Sequence, residues 1–183
     1  DQAAAFVKEK NFKTIAINSS TSNALADGLT YSQRLALNQS LGSESTKLIS
    51  SEELIYEWLS IKLPEEVEIL RQAAQLASDF QYEAYQMIVP GKTTDAEVAK
   101  FLKAKMVEYG VTDAWHPDQN PNVNSGVDRG HSHATDKVIV GGDVIQIDFG
   151  VKLYDIWVSD IQRFAYVLKD GESEAPETIG RLH

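Results

Sequence analysis

The sequence of 183 residues predicts an α+β protein, and three observations support this fold class. The first sixty residues alternate short helical and strand patterns. Two long stretches with helical spacing and clear start and stop signals follow between residues 63 and 110. From residue 111 onward, apolar strands separated by glycine and turn residues are typical of a β-sheet.

The first part of the chain, residues 1–62, resembles the end of an α/β domain whose beginning is missing. Helical patterns cover 3–10, 31–41 and 52–61, and strand patterns cover 14–17 and 46–49. Thr30 is the expected N-cap of the second helix, because its hydroxyl can accept a free N–H group of the first turn. Ser50-Ser51-Glu52-Glu53 fits a capping box at the start of the third helix.

The next part, starting near Leu63, predicts two longer helices. Pro64 at the first helical position opens a helix of about 25 residues that Val89-Pro90-Gly91 ends. Apolar residues recur along it at helical spacing, at Val67, Leu70, Ala74, Ala77, Ala84 and Ile88. Thr94-Asp95-Ala96-Glu97 is a second capping box, and the helix behind it stops at Gly110. The predicted domains are therefore 1–62 and 63–183.

The last part of the chain contains the two strongest strand patterns, residues 144–150 and 157–168. The strands bear Asp148 and Asp160. If they form a hairpin with its turn centred on Tyr154, Asp148 lies directly opposite Asp160 on one partly buried face. Ile147 then faces Ile161, Phe149 faces Ser159, Val144 faces Phe164 and Gln146 faces Gln162.

Two carboxylates this close repel each other, and three arrangements would relieve the repulsion. A divalent cation can bind between them, they can share a proton, or an Arg or Lys can pair with both. In the alternative register one Asp occupies a turn and the other a solvated face. A kinase-like interpretation of Asp148-Phe149-Gly150 fails, because the sequence lacks the glycine-rich loop and the catalytic Asp and Asn that kinases need.

Composition excludes several classes of function. The net charge of −10 and the absence of a basic cluster argue against nucleic acid or an anionic membrane as a partner. The sequence contains no cysteine, so any metal ligands are oxygen or nitrogen atoms. We expect a soluble, cytoplasmic protein, since no apolar segment of the sequence is long enough to span a bilayer.

The motifs of the second half resemble a known family. Asn124-Ser125-Gly126 is followed by His131, seventeen residues before Asp148, then by a Gly-Asp turn and an apolar strand ending in Asp-x-Gly. The second aspartate, Asp160, is followed by x-x-Arg. This pattern is similar to the pita-bread metallopeptidases, which include methionine aminopeptidase, aminopeptidase P and prolidase, and it is closest to the Xaa-Pro peptidases. The resemblance implies the first half of a pita-bread domain.

The resemblance also implies roles for three residues. Asp148 and Asp160 would be two of five protein ligands of a pair of divalent metal ions, which could be Mn, Co, Fe or Zn. His131 would contact the substrate during catalysis. No role carries over to His116 or His133, and a lone loop histidine is more often a solvated or a structurally hydrogen-bonded group. The implied substrate is a peptide, with Pro at the second position, and a homodimeric parent is common in the family.

Two departures from the family pattern qualify this interpretation. The family usually spaces its aspartates eleven residues apart, whereas this chain has twelve, which one extra turn residue between Leu153 and Ile156 would explain. The remaining His and two Glu ligands come from the second half of the pita-bread domain, before which this sequence ends. The chain therefore looks truncated, and we expect it to be inactive alone.

Two rival functions remain open at this point. The first is a non-catalytic pita-bread module that binds a peptide or protein. The second is a creatinase-like hydrolase that cleaves a carbon–nitrogen bond without metal, which ranks last because its relatives usually replace the paired acids.

Overall fold

The computed structural model describes residues 2–126 and 133–180. Contacts between Cα atoms divide the chain into two units, Asp1–Lys62 and Leu63–His183. The identification of these units as the end of an amino-terminal domain and the first part of a catalytic domain stays a prediction. None of the helices in the described ranges has both the length and the apolar character that crossing a membrane requires.

The first unit combines three helices with a two-stranded parallel sheet. Its elements are α1 (Gln2–Lys10), β1 (Ile15–Ile17), α2 (Tyr31–Leu41), β2 (Leu48–Ser50) and α3 (Glu52–Ser60). β1 and β2 pair with Ile15 opposite Leu48. Thr30 caps α2 as predicted: its Oγ1 accepts the N–H of Gln33, and the Gln33 Oε1 accepts the N–H of Thr30. The second strand begins two residues later than predicted, because residues 42–47 form a 3₁₀ turn.

The predicted capping box at Ser50 to Glu53 is wrong, because the helix begins one residue later than the box requires, with Ser51 at the N-cap. Ser50 Oγ does accept the N–H of Glu52 at 3.0 Å. Ser51, the residue at the N-cap, donates instead to Asn18 Oδ1 at 2.8 Å and makes no capping bond. The hydroxyls of Ser20 and Ser22 donate to Glu52 and lower the pKa of its carboxyl below the ordinary value. Partners about thirty residues earlier in the chain therefore replace the local cap, which a local pattern does not reveal.

The second unit opens with the two predicted helices, α4 (Pro64–Gln86) and α5 (Asp95–Tyr109). Glu66 Oε2 accepts the N–H of Leu63 at 2.7 Å and satisfies a free donor at the start of α4. The capping box of Thr94 and Glu97 is present in both directions. Gly110 ends α5 in the left-handed conformation, with φ of 67°, as its position predicts.

The core of the second unit lies between these helices and the strands. It consists of Ala73, Ala77, Phe80, Ala84, Val98, Leu102, Met106, Val123, Ile139, Ile145, Ile147, Phe149, Val151 and Val167. Val67, the first residue of the apolar pattern in α4, is 42% exposed and lies outside the core. The buried stripe of α4 instead includes Ala73 and Phe80, which the sequence pattern did not select.

In the described part of the second unit, six strands form two three-stranded sheets. They are β3 (Thr112–Asp113), β4 (Asn122–Ser125), β5 (Val144–Phe149), β6 (Val151–Leu153), β7 (Trp157–Val158) and β8 (Ile161–Tyr166), followed by the short helix α6 (Glu177–Gly180). The orders are β4-β5-β8 and β3-β6-β7, with antiparallel neighbours. One long hairpin thus contributes to both sheets. We call β5 with β8 its inner part and β6 with β7 its outer part.

The predicted register of this hairpin is wrong by two residues. Asp148 lies opposite Gln162 rather than Asp160. The other predicted pairs shift in the same way, and the observed pairs are Val144 with Tyr166, Gln146 with Phe164, Ile147 with Arg163 and Phe149 with Ile161. A shift of two residues leaves every side chain on its original face, so the apolar alternation of the sequence could not distinguish the two registers.

The turn of the hairpin accounts for the shift. Leu153 pairs with Trp157, so the turn is centred on Asp155 and contains three residues, 154–156. The N–H of Ile156 donates to the carbonyl of Leu153, while Tyr154 and Asp155 both have positive φ. The sequence predicts one extra turn residue to explain the twelve-residue spacing of the aspartates, and a three-residue turn is compatible with that prediction.

Candidate metal site

Asp148 lies in the middle of the sheet β4-β5-β8, and it is only 6% exposed. Its cross-strand neighbours are Asn122 on β4 and Gln162 on β8. The Gln162 Nε2 donates to the Asp148 Oδ2 at 3.1 Å. The amide of Gln162 therefore orients the carboxylate through a hydrogen bond.

Helix α4 holds the strand that faces Asp148. The Gln81 Nε2 donates to the carbonyl of Ile161 at 2.8 Å, and the Tyr85 hydroxyl donates to the carbonyl of Arg163 at 2.8 Å. These two carbonyls flank Gln162. Burial raises the pKa of the Tyr85 hydroxyl well above its ordinary value, although the nearby charge of Arg163 partly opposes this shift.

Asp160 lies in a different setting, in the short gap between β7 and β8, and it is exposed. Continuing the register of the hairpin places it opposite Gly150, the residue between β5 and β6. The two aspartates are therefore diagonal rather than directly opposite neighbours. In a regular antiparallel pair such diagonal neighbours are about 7–8 Å apart, with their Cβ atoms somewhat closer. The prediction that both carboxylates are partly buried holds for Asp148 alone.

The junction between the two parts of the hairpin consists of Gly150, Ser159 and Asp160. Asn120, which is 1% exposed, accepts the Gly150 N–H at 3.0 Å and donates to the Gly150 carbonyl at 2.7 Å. Ser159 bonds to Val151 with both its backbone N–H and its hydroxyl, at 2.9 and 3.0 Å. A Cβ atom on Gly150 would lie 2.1 Å from the Ser159 carbonyl oxygen, so the strands can approach this closely only with glycine here.

The histidines contribute less to the described geometry than the aspartates. His131, predicted to contact substrate, lies outside the described residues. His116 has a structural role, since its Nδ1 accepts the N–H of Asp118 at 3.3 Å and caps the 3₁₀ turn Pro117–Gln119. The expectation of a structurally bonded loop histidine is therefore confirmed for His116.

The chemistry of the donors suits a divalent cation but does not complete a site. Asp148 and Asp160 offer carboxylate oxygens, which magnesium, manganese and zinc all accept. Within residues 2–126 and 133–180, no group of three His, Asp or Glu side chains is close enough to hold a metal ion. The two aspartates therefore fit as part of a ligand set and need further ligands.

Sequence reasoning missed the amide side chains around the aspartates. Asn122 and Gln162 were not selected because their importance depends on the pairing of β4, β5 and β8, not on a local motif. Asn120 was not selected either, because its partner Gly150 is thirty residues away. The alternation Asn122-x-Asn124 in a buried strand was the available signal, because an amide at a buried position normally has a specific partner.

Comparison with known proteins identifies the class of this molecule. The model of "Metallopeptidase family M24" matches residues 68–179, which is more than half of the chain and includes the whole hairpin with both aspartates. The chain therefore belongs to the metallopeptidase family M24. A search among curated protein sequences finds no match.

Comparison with solved structures shows which peptidases this chain resembles. The chain is similar to an X-Pro aminopeptidase from Thermotoga maritima, with 25% identity and a TM-score of 0.64 over 98% of this chain and 46% of that one. An Xaa-Pro dipeptidase from Bacillus anthracis gives 28% identity and a TM-score of 0.63, with the same coverages. A prolidase from Pyrococcus furiosus gives 26% identity and 0.59, over 90% and 47% of the two chains.

These matches confirm the predicted fold class, an α+β chain that contains the first half of a pita-bread domain preceded by an α/β segment. The resemblance to Xaa-Pro peptidases is confirmed as well. The chain spans less than half the length of each of these three structures.

Proposed function

We propose that the protein containing this chain is a metal-dependent peptidase that cleaves an amino-terminal residue from a following proline, as aminopeptidase P or prolidase does. The observation that supports this most is the match of the family over the hairpin that bears Asp148 and Asp160. The similar structures are of peptidases that act on Xaa-Pro bonds, which supports the same substrate class for this protein.

In this proposal Asp148 and Asp160 are two ligands of a pair of divalent metal ions, and His131 contacts the substrate. Such ions, when bound, lower the pKa of a water to near neutrality and polarise the scissile carbonyl. The buried position of Asp148 and its bond from Gln162 limit how far its carboxylate can turn. The exposed position of Asp160 leaves its carboxylate open to further ligands. The net charge of −10 favours the approach of cations to both.

The remaining predictions belong to the same proposal. The other ligands would come from residues beyond this chain, so that the 183 residues alone are inactive. The metal can be Mn, Co, Fe or Zn, because carboxylates do not distinguish among them. A homodimeric parent and a cytoplasmic location stay predictions.

Asp148→Asn in the intact protein tests the proposal. We expect it to lower Mn²⁺ affinity and Xaa-Pro hydrolysis by at least about 100-fold, since changes outside the ligand set alone often lower them by 10- to 100-fold. Asp155→Asn is the matched control, because Asp155 belongs to the same hairpin but lies exposed in its turn. It should leave affinity and hydrolysis within about twofold of the parent.

Isothermal titration calorimetry and hydrolysis of an Xaa-Pro peptide measure the two effects. Unchanged affinity and hydrolysis in the Asp148→Asn variant would contradict the assignment of Asp148. If the intact protein bound peptide but no divalent metal, the non-catalytic peptide-binding module would take the place of the peptidase.

A further inference from the structure

The side chain of Asn120 lies beside Gly150, where a longer β4 would place its backbone. On β4, Asn122 lies opposite Asp148, so continuing the same register places Asn120 opposite Gly150. β4 itself begins only at Asn122. The side-chain amide of Asn120 makes the two bonds, to the N–H and to the carbonyl of Gly150, that a backbone neighbour would otherwise supply.

The same amide connects the two sheets. Beyond Gly150, the neighbour of the long strand changes from β4 to β3, where Asp113 pairs with Val151. The Asn120 Nδ2 also donates to the Asp113 Oδ1 at 2.9 Å. Asp113 is held in turn by an ion pair with Lys103 of α5. Through both of its N–H groups and its oxygen, the Asn120 amide thus bonds to Asp113 and Gly150, at the point where the sheet β4-β5-β8 ends and the sheet β3-β6-β7 begins.

This junction lies between the two aspartates. Gly150 is two residues after Asp148, and the hairpin register places Asp160 opposite Gly150. Whatever fixes the backbone of Gly150 therefore fixes where one carboxylate lies relative to the other. The packing around Gly150 leaves no room for a side chain, because an added Cβ would lie 2.1 Å from the Ser159 carbonyl oxygen and 2.7 Å from the Trp115 ring.

We propose that Asn120 is a positioning residue, whose amide holds Gly150 so that Asp148 and Asp160 are placed to bind the same metal centre. This inference rests on the proposed function, since it concerns the placement of the proposed ligands. Asn120 touches neither carboxylate, so it acts through the backbone of Gly150.

Asn120→Asp is the first test, because it preserves size and the acceptor for the Gly150 N–H but removes the donor to the Gly150 carbonyl. Asn120→Ser is the second variant: it is uncharged, avoids a new charge beside Asp113, and is too short to bond both groups of Gly150. The control is Val98→Ala, which weakens the core of the same unit at a fully buried position of α5.

Two measurements on the intact protein are compared. Hydrogen–deuterium exchange of the metal-free protein reports on peptides that contain Gly150, and calorimetry gives the Mn²⁺ dissociation constant. For either Asn120 variant we expect faster exchange at Gly150 and a dissociation constant raised about 10- to 100-fold, as for other changes that support metal ligands from outside. Val98→Ala should lower the thermal midpoint but leave the dissociation constant within about twofold.

The outcomes separate this inference from the proposed function. Unchanged Mn²⁺ affinity in a folded Asn120 variant would overturn the inference alone, as would an equal loss in Val98→Ala. If the parent protein itself bound no Mn²⁺, the proposed function would fail, and the ligand-positioning role with it. In that case, slower or unchanged exchange at Gly150 would further show that Asn120 does not hold the junction.

Discussion

The inner and outer parts of the hairpin share one register but are stabilised in different ways. The inner part, β5 with β8, joins six residue pairs and places Ile145, Ile147 and Phe149 in the core. The outer part, β6 with β7, joins two pairs, and its turn residues Tyr154 and Ile156 are 72% and 68% exposed. The inner part, which bears Asp148, thus contributes three residues to the core, whereas the outer part contributes only Val151, pairs with β3 and ends in an exposed turn.

This difference in packing indicates which part of the candidate site is rigid. Asp148 is buried within the inner part, while Asp160 is exposed at the junction between the two parts. Substitutions at the junction should therefore have large effects, those along the inner part intermediate effects, and those in the outer turn small ones.

The largest expected effect is at the junction. In Gly150→Ala the new Cβ would lie 2.1 Å from the Ser159 carbonyl oxygen and 2.8 Å from the Ala114 Cβ, so the backbone must move. We expect the free energy of unfolding to fall by roughly 3 kcal/mol or more, at the upper end of what overpacking produces. Urea denaturation of the intact protein measures the change.

Gly28→Ala is the control for this substitution. Its Cβ would meet nothing closer than Asn18 at 3.6 Å, and its φ is not in the left-handed region, so a change within about 0.5 kcal/mol is expected. A Gly150→Ala variant as stable as this control would show that the two parts of the hairpin are not held as closely as described.

The junction also marks the limit of what the sequence could predict. Capping residues such as Thr30, Thr94 and Gly110 were correctly predicted, because each acts on a backbone group within a few residues of itself. The hairpin strands were located for the same reason, through their local alternation. The family resemblance depended on spaced motifs of this kind and was confirmed.

The register and the supporting amides could not be predicted in this way. Whether Asp148 lies opposite Asp160 or opposite Gln162 depends on the length of the turn, which has three residues. The alternation of side chains is the same in both registers and does not distinguish them. The bonds of Asn120 join residues thirty positions apart. Such contacts depend on tertiary packing, so the predicted site contained the charged residues but not the neutral side chains around them.

An intermediate effect is expected at Tyr85 of α4, whose hydroxyl bonds to the inner part of the hairpin. Tyr85→Phe removes the hydrogen bond to the Arg163 carbonyl and should lower the free energy of unfolding at pH 7 by about 1 kcal/mol. Tyr82→Phe is the control, because Tyr82 is 65% exposed on the same helix, and its effect should stay within about 0.5 kcal/mol.

The pH dependence gives Tyr85→Phe a second readout. Burial raises the pKa of Tyr85 in the folded protein. Its neutral hydroxyl therefore stabilises the folded state fully below the unfolded pKa near 10, and this stabilisation is lost as the pH rises from that value toward the folded pKa. The parent should therefore lose stability between pH 10 and 11 more steeply than the variant, by at most about 1.4 kcal/mol per pH unit. Parallel denaturation curves over this range would contradict the buried hydroxyl.

The smallest expected effect is in the outer turn, and it has the opposite sign. Asp155 has a φ of 59°, in the left-handed region where glycine is free of strain, and it follows Tyr154 with a φ of 51°. Two consecutive residues of this kind are typical of a type I′ turn, which prefers Asn-Gly. Asp155→Gly should therefore raise the free energy of unfolding by about 0.5–1 kcal/mol, as measured by urea denaturation.

Ile156→Gly distinguishes relief of strain from a general effect of glycine in this turn. Ile156 is exposed like its neighbour but has no positive φ, so glycine there only increases the entropy of the unfolded chain and should destabilise the protein by about 0.5–1 kcal/mol. Neither substitution should change the Mn²⁺ dissociation constant by more than about twofold, because the inner part and the junction stay intact. A change in metal affinity at Asp155→Gly comparable to that expected at Asn120 would mean that the turn, and not the junction, sets the position of Asp160.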